Sequence, residues 1–249
     1  RPRRFGKSLF LNMLNCYYDV KYADRFEELF GNQYIGKHPT AEQGKYLVLR
    51  FNFSMVRATD DKLEAAFNRH ISLETAYFAS VYASYFKPDF QEQLKLIPEA
   101  AGRLEYICLC AKEQGLSIYL LIDEYDNFTN TILSSKGNDV YHSLTHDSGF
   151  YRSFFNVVKG VTTGAEAPVK RMFITCVSPV TLDDVTSGFN IGTNITTDER
   201  FNSMVGFSES ELHEMLSYYQ SEGMLVDSID DIVRMMKPWY DNYCFAKEC

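Results

Sequence analysis

Residues 116–127 read LSIYLLIDEYDN, with Gly115 immediately before them. A short apolar run bounded by a glycine and an acidic cluster is the pattern of a strand buried on both faces of a parallel sheet. Asp123 and Glu124 then stand at its carboxyl end. Adjacent side chains diverge at the end of a strand, so one acid could face a metal ion while the other faces an attacking water. Taken alone, the stretch reads equally as an acidic turn after a buried strand.

Working outward, YLVLRFNFS (46–54) is β-rich and ends in alternation, so it reads as a second strand, and RMFITCV (171–177) as a third, apolar one. Between the first two, residues 60–114 carry helical spacing (Leu63, Ala66, Phe67, His70, Ile71), punctuated by Pro88 and Pro98 into at least two helices. A polar stretch (129–149) and a helix over YRSFFNVVK (151–159) precede the third strand. Helices alternating with buried strands predict an α/β layered fold with a mainly parallel sheet. Near the C-terminus, Ser208 with Glu211 forms a capping box that opens a helix, and a second helix spans 228–236, ending before Pro238. The expected division is a core over 1–205 and a small helical appendage over 206–249, the start of a lid or linker domain.

Composition bounds the partners. The chain has 249 residues, 45% of them hydrophobic, with 25 Lys+Arg against 33 Asp+Glu and a net charge of -8. That is enough chain for a sizeable core, and the acidic balance gives no global basic surface for nucleic acid. A basic cluster (Arg1, Arg3, Arg4, Lys7) is confined to the start. The six cysteines are scattered, and the Cys108/Cys110 spacing does not suit a zinc site, so reduced thiols in an intracellular, cytoplasmic protein are expected. No apolar run approaches the ~20 residues of a membrane span.

The start of the chain, RPRRFGKSLF (1–10), carries the remaining chemistry. A phosphate loop uses backbone N–H groups at a helix N-terminus, a lysine, and a Ser/Thr hydroxyl for Mg²⁺. Gly6, Lys7 and Ser8 have that order, but the loop's usual first glycine would fall at Arg1. Behind them, Leu9, Phe10, Met13, Leu14 and Tyr17 predict one apolar helical face. A Gly-Lys-Ser turn capping an amphipathic helix is the plainer reading of the same residues; the Asp123–Glu124 pair in the same chain favours a nucleotide site. Thr175 or Ser178, emerging from the third strand, could sense the γ-phosphate. Asp126 reads as a structural acid or helix cap.

Together RPRRFGKSL, LLIDEYDN, ITCVSPVTLDDVTSGFNI, FNSMVGFSESEL and WYDNYCF resemble the AAA-ATPase-like family of P-loop proteins, in family order from residue 1 to about 245. Its loop has the form R-P-R-R-F-G-K-[ST], so Arg1 is the family's residue there. WYDNYCF departs from the family signature in having Asn242 where glycine stands.

The resemblance implies a P-loop NTPase three-layer sandwich of the additional-strand type, binding and hydrolysing ATP with Mg²⁺. It assigns residues 3–9 (Arg3, Arg4, Phe5, Gly6, Lys7, Ser8, Leu9) to the phosphate loop, with Arg3 and Arg4 either on phosphate or solvated. Ser8 and Asp123 would hold the metal, and Glu124, Lys7 and Thr175 would be catalytic. The strand leading into the loop would precede Arg1, and its absence is expected to leave a gap beside LLIDE. Related ATPases are oligomers with an arginine finger, for which Arg200 is the candidate, alternatively a surface ion pair. The family is commonly followed by a PD-(D/E)XK nuclease-like domain; nucleic acid is suggested only by that company. A non-catalytic, regulatory P-loop scaffold is the alternative function. A GTPase is disfavoured by the lack of N-K-x-D, and a small-molecule kinase lacks a visible acceptor signature.

Overall fold

The computed structural model describes residues 4–56, 62–146, 149–177 and 191–240. The chain forms two compact units, Ser8–Gly192 and Arg1–Lys7 with Thr193–Cys249.

The larger unit is built on three parallel strands, β1 (Leu47–Asn52), β2 (Ile118–Asp123) and β3 (Val169–Ile174), in the order β1-β2-β3. Leu47 stands opposite Ile118 and Asn52 opposite Asp123, so the carboxyl ends of β1 and β2 are level. Helix α1 (Lys7–Tyr18) precedes the sheet, with the short helices α2 (Phe26–Phe30) and α3 (Tyr34–Lys37) after it. The β1–β2 crossover carries α4 (Leu63–Val81), α5 (Phe90–Lys95) and α6 (Ala100–Glu113). The β2–β3 crossover carries α7 (Tyr125–Lys136), α8 (Asn138–Thr145) and α9 (Phe150–Thr162). Parallel strands need such crossovers, because a tight turn cannot return the chain to the same end of the sheet.

The period of two divides the strand residues between two faces. Leu47, Leu49, Phe51, Ile118, Leu120 and Ile122 join the main core with Phe67, Ile71, Leu104, Ile107 and Phe154 from α4, α6 and α9. Phe53, just past β1, lies 5.5–6.2 Å from the rings of Phe67, Tyr151, Phe154 and Phe155, an aromatic centre to this layer. On the opposite face Tyr46, Val48, Tyr119 and Leu121 bury Leu11 of α1, with Leu14, Tyr18 and Phe173 alongside. β2 is buried along its whole length, as its continuous apolar run requires.

Several expectations change. The buried face of α1 is rotated from the expected one: Tyr17 is buried and Leu14 and Phe10 meet the sheet as expected, but Leu11 is fully buried, whereas Leu9 and Met13 are 65% and 45% exposed. Leu11, Leu14 and Tyr18, at i, i+3 and i+7, form the stripe that meets the sheet. No gap adjoins β2, which pairs with β1 on one side and β3 on the other. Among the described residues, β1 and β3 are the two edge strands, each paired with β2 alone. Lys170 and Arg171 of β3 are exposed, as suits a strand with one neighbour. The polar stretch after β2 is helical (α7 and α8), held by buried Phe128, Ile132, Tyr141 and Leu144 spaced among its polar residues.

In the smaller unit, α10 (Glu209–Ser221) starts at the expected capping box, with both reciprocal Ser208–Glu211 bonds made. Its Leu216 is buried, as is Val233 of α11 (Ile229–Tyr240). α11 runs through Pro238 instead of stopping before it. A proline in the last turn removes a single bond, to the Arg234 carbonyl. Arg4 and Gly6 both have positive φ (69° and 86°), a conformation that only glycine adopts at no steric penalty. Phe5 between them lies against Gly206, where an added Cβ would come within 3.2 Å of its ring.

Candidate functional site

The site is built at the carboxyl ends of the parallel strands, on the face covered by α1. Three contacts fix the direction of α1. Tyr18 meets Tyr46 and Tyr119 near the strand starts, at 5.9 and 4.9 Å between ring centroids. Asn12 accepts a hydrogen bond from Arg50, late in β1. Phe10 meets Phe173, late in β3, at 5.5 Å. The helix therefore runs against the strands, and its N-terminal turn points toward their carboxyl ends. Ser8 lies one turn before Asn12 on the same side of the helix. A helix N-terminus at the carboxyl edge of a parallel sheet is where anions bind in α/β folds.

Asp123 continues the Tyr119–Leu121 side of β2, so its carboxylate emerges on the α1 face. It is 1% exposed. Its Oδ1 accepts a 2.6 Å hydrogen bond from the Thr175 hydroxyl. Its Oδ2 is buried without a hydrogen-bond partner. A cation stands beside it: Nη2 of Arg50 lies 3.6 Å from Oδ2, too far for a hydrogen bond but within ion-pair range.

Glu124 adopts a left-handed conformation (φ 50°, ψ 47°) where β2 breaks into α7. For a residue with a Cβ that is strained, by about 1–2 kcal/mol. The turn takes Glu124 off the line of the strand. Asn127 donates to its Oε2 at 3.3 Å. Its backbone N–H donates to Thr175 Oγ1 at 3.2 Å, and Tyr125 N–H to the Thr175 carbonyl at 3.2 Å. Thr175, buried just past β3, thus fastens both acids at once. Asp126, also buried, accepts from Val177 N–H and from Asn130, the structural part expected of it.

The structure joins Asp123, Glu124 and Thr175, with Thr175 bonded to both acids, and Ser8 belongs to the first turn of α1 in the same unit. Lys7, the first residue of α1, directly precedes Ser8. Leu9 is exposed on the next step of the helix. Arg4, Phe5 and Gly6 are described in the smaller unit; Arg1, Arg3, Ser178, the segment 186–190 and residues 241–249, with Asn242, lie outside the described residues. Arg200 is tied by two hydrogen bonds to Asp198 on the surface.

Two participants were missed in the sequence, Arg50 and Asn12. Arg50 had a visible signal, as the one charge inside the apolar strand LVLRFN. Asn12 had none.

The residues fit a magnesium ion. Asp123 offers a buried carboxylate oxygen without a hydrogen-bond partner, and a hard cation takes oxygen donors. No group of three or more His, Cys, Asp or Glu that could hold a metal occurs among the described residues. Such an ion would rest on one carboxylate, a hydroxyl and substrate phosphates, the usual manner for magnesium.

A family model described as "Predicted AAA-ATPase" matches residues 1–186. The chain belongs to this AAA-ATPase-like family. The match ends short of the C-terminal stretches that also carried the resemblance. Membership gives the chain a nucleotide-binding, ATPase-like role, in a family whose members use ATP and usually Mg²⁺. No curated protein and no solved structure matched. No helix among the described residues is long and apolar enough to cross a membrane.

Proposed function

We propose that this chain binds MgATP and hydrolyses it in a P-loop domain of three-layer type, serving as a switch or motor for a partner domain. The observation that carries the reading is the direction of α1. Its N-terminal turn, opened by Lys7 and Ser8, faces the end of the sheet where Asp123 and Thr175 meet.

In this reading the N–H groups of Gly6, Lys7 and Ser8 hold phosphate oxygens at the positive end of the helix dipole, and Lys7 neutralises them. Arg4 and Phe5 complete the loop. Ser8 and Asp123 would hold Mg²⁺, which when bound supplies charge neutralisation of the phosphates. Glu124, turned off the line of the strand, orients and deprotonates the attacking water. Thr175 keeps Asp123 fixed and its own hydroxyl committed, so that the acid pair meets substrate already positioned. Residues 206–249 report nucleotide state through contacts that differ between states.

Lys7→Ala is expected to abolish MgATP binding, and Glu124→Gln to retain binding while stopping phosphate release. Equal nucleotide affinity in wild type and Lys7→Ala, read by calorimetry, sinks the assignment. A non-catalytic nucleotide-binding scaffold is the second reading, favoured by the Arg50 guanidinium beside the acid that would hold the metal. It requires Glu124→Gln and wild type to be alike in releasing no phosphate.

A further inference from the structure

Arg50 is the residue around the acid pair that the reading above leaves without a part. It is a third exposed, it ends on Asn12 of α1, and its guanidinium faces the one buried oxygen of Asp123 that has no hydrogen bond. On its other side lies a cavity of about 410 Å³, lined by Asn12, Asn15, Asp19, Glu74 and Tyr82 together with Arg50 itself.

The charges around that cavity are unevenly satisfied. Asp19 is fully engaged, accepting from Tyr82 Oη and from Lys21 N–H at 2.8 Å each. Lys21 turns its ammonium to the Tyr77 hydroxyl at 3.4 Å. Among the described residues, the ion-pair neighbour of Glu74 is His70, at 3.9 Å, and burial holds that imidazole below its ordinary value, toward the neutral form. Burial also raises the Glu74 carboxyl, and the charge that pulls it back down is Arg50. Arg50 thus has two carboxylates to serve, Asp123 and Glu74, with open space beside it.

We propose that Arg50 is the resident counter-ion of Asp123 and competes with the divalent cation for it, the guanidinium withdrawing toward Glu74 when the metal takes its place. The inference rests on Asp123 being the metal-holding acid of the reading above. Two cations cannot share one buried carboxylate oxygen without strong repulsion at this separation, so metal binding must displace or oppose Arg50. Arg50 is therefore a positioning residue. It aims Asp123 while no metal is present, from ion-pair range at 3.6 Å, and it sets how much metal is needed to convert the site. Because Asn12 holds the same guanidinium, the exchange also reaches the first turns of α1.

The test is Mn²⁺ affinity of the full chain, read by the paramagnetic resonance of free Mn²⁺, without nucleotide and with ADP. Arg50→Gln is expected to tighten Mn²⁺ binding about tenfold or more, since a full charge is removed from ion-pair range. Arg50→Lys, which keeps the charge on a shorter reach, should fall between the two. Glu74→Gln, which removes the place of withdrawal, should weaken binding several-fold. Asp123→Asn should abolish the advantage of Arg50→Gln in the double variant. Circular dichroism checks folding, and if Arg50→Gln does not fold, the opposite shifts of Arg50→Lys and Glu74→Gln decide. Mn²⁺ binding that depends on Asp123 but is unchanged or weakened in the Arg50 variants overturns this inference alone. Binding indifferent to Asp123→Asn overturns it together with the reading beneath it.

Discussion

Replacing Thr175 by valine removes one hydroxyl and changes almost nothing else in volume, so it isolates the bond that fastens the acid pair. In the structure that hydroxyl donates to Asp123 Oδ1 at 2.6 Å and accepts from Glu124 N–H at 3.2 Å, and the residue is 6% exposed. A hydrogen bond to a charged group contributes about 1.5–3 kcal/mol, and the buried partners left behind keep their desolvation penalty. Asp123 would then have both carboxylate oxygens without a hydrogen bond, because Oδ2 has none already. The expected loss is about 3 kcal/mol, a large part of the roughly 5–15 kcal/mol that holds a domain folded. For a domain of this size that is a fall in Tm of about 6–12 °C. Urea unfolding followed by circular dichroism measures it, with Thr175→Ser as the control. Serine keeps the hydroxyl and loses a methyl, at about 1 kcal/mol. If Thr175→Ser proves more damaging than Thr175→Val, the methyl and not the hydroxyl matters at this position, and the argument for a fastened acid pair fails.

Two further outcomes follow from other parts of the sheet unit. Leu11→Ala, at a fully buried site where α1 meets the sheet, should destabilise by about 2–5 kcal/mol, whereas Leu9→Ala, 65% exposed, should stay within about 0.5 kcal/mol; equal effects in urea melts would mean that α1 presents another face. His70 is buried with its Nε2 lacking a hydrogen bond, and burial lowers it from its ordinary 6.5. The unfolded chain then binds the proton more readily than the folded one. This part of the stability is fully present above pH 6.5 and is lost as pH falls from there through the folded value. Melting temperatures taken downward from pH 7.5 should show that fall in wild type and a shallower one in His70→Gln, and parallel curves would refute it.

Much of the architecture was legible because β2 announces itself. A continuous apolar run ending in two acids has few ways to fold, and the helix-period segments around it leave a parallel sheet as the natural frame. The active face was harder. In α1 the apolar residues are abundant enough to draw two stripes, and Leu9 and Met13 belong to the wrong one; only the pairing of Leu11 with Val48 and Leu121 decides between them. β3 looked as apolar as β2, yet Lys170 and Arg171 at its start mark it as having one neighbour among the described residues. Asp123, Glu124 and Thr175 could be picked out by their places at strand ends. Their mutual bonding could not, since Thr175 is 52 positions away from Asp123 and the register of β2 against β3 is what joins them. Arg50 was overlooked for a related reason: a charge within a strand says that something must answer it, but not what.

The stitching of β3 to the acids reaches one step further. Just beyond that strand, Thr175 grips Asp123 and Glu124, and Val177 hands its amide to Asp126. The stretch Thr175–Val177 is thus tied to Asp123, Glu124 and Asp126 together. A displacement of Val177 or Thr175 is therefore felt at once at the carboxylates of Asp123 and Asp126 and at the backbone amide of Glu124.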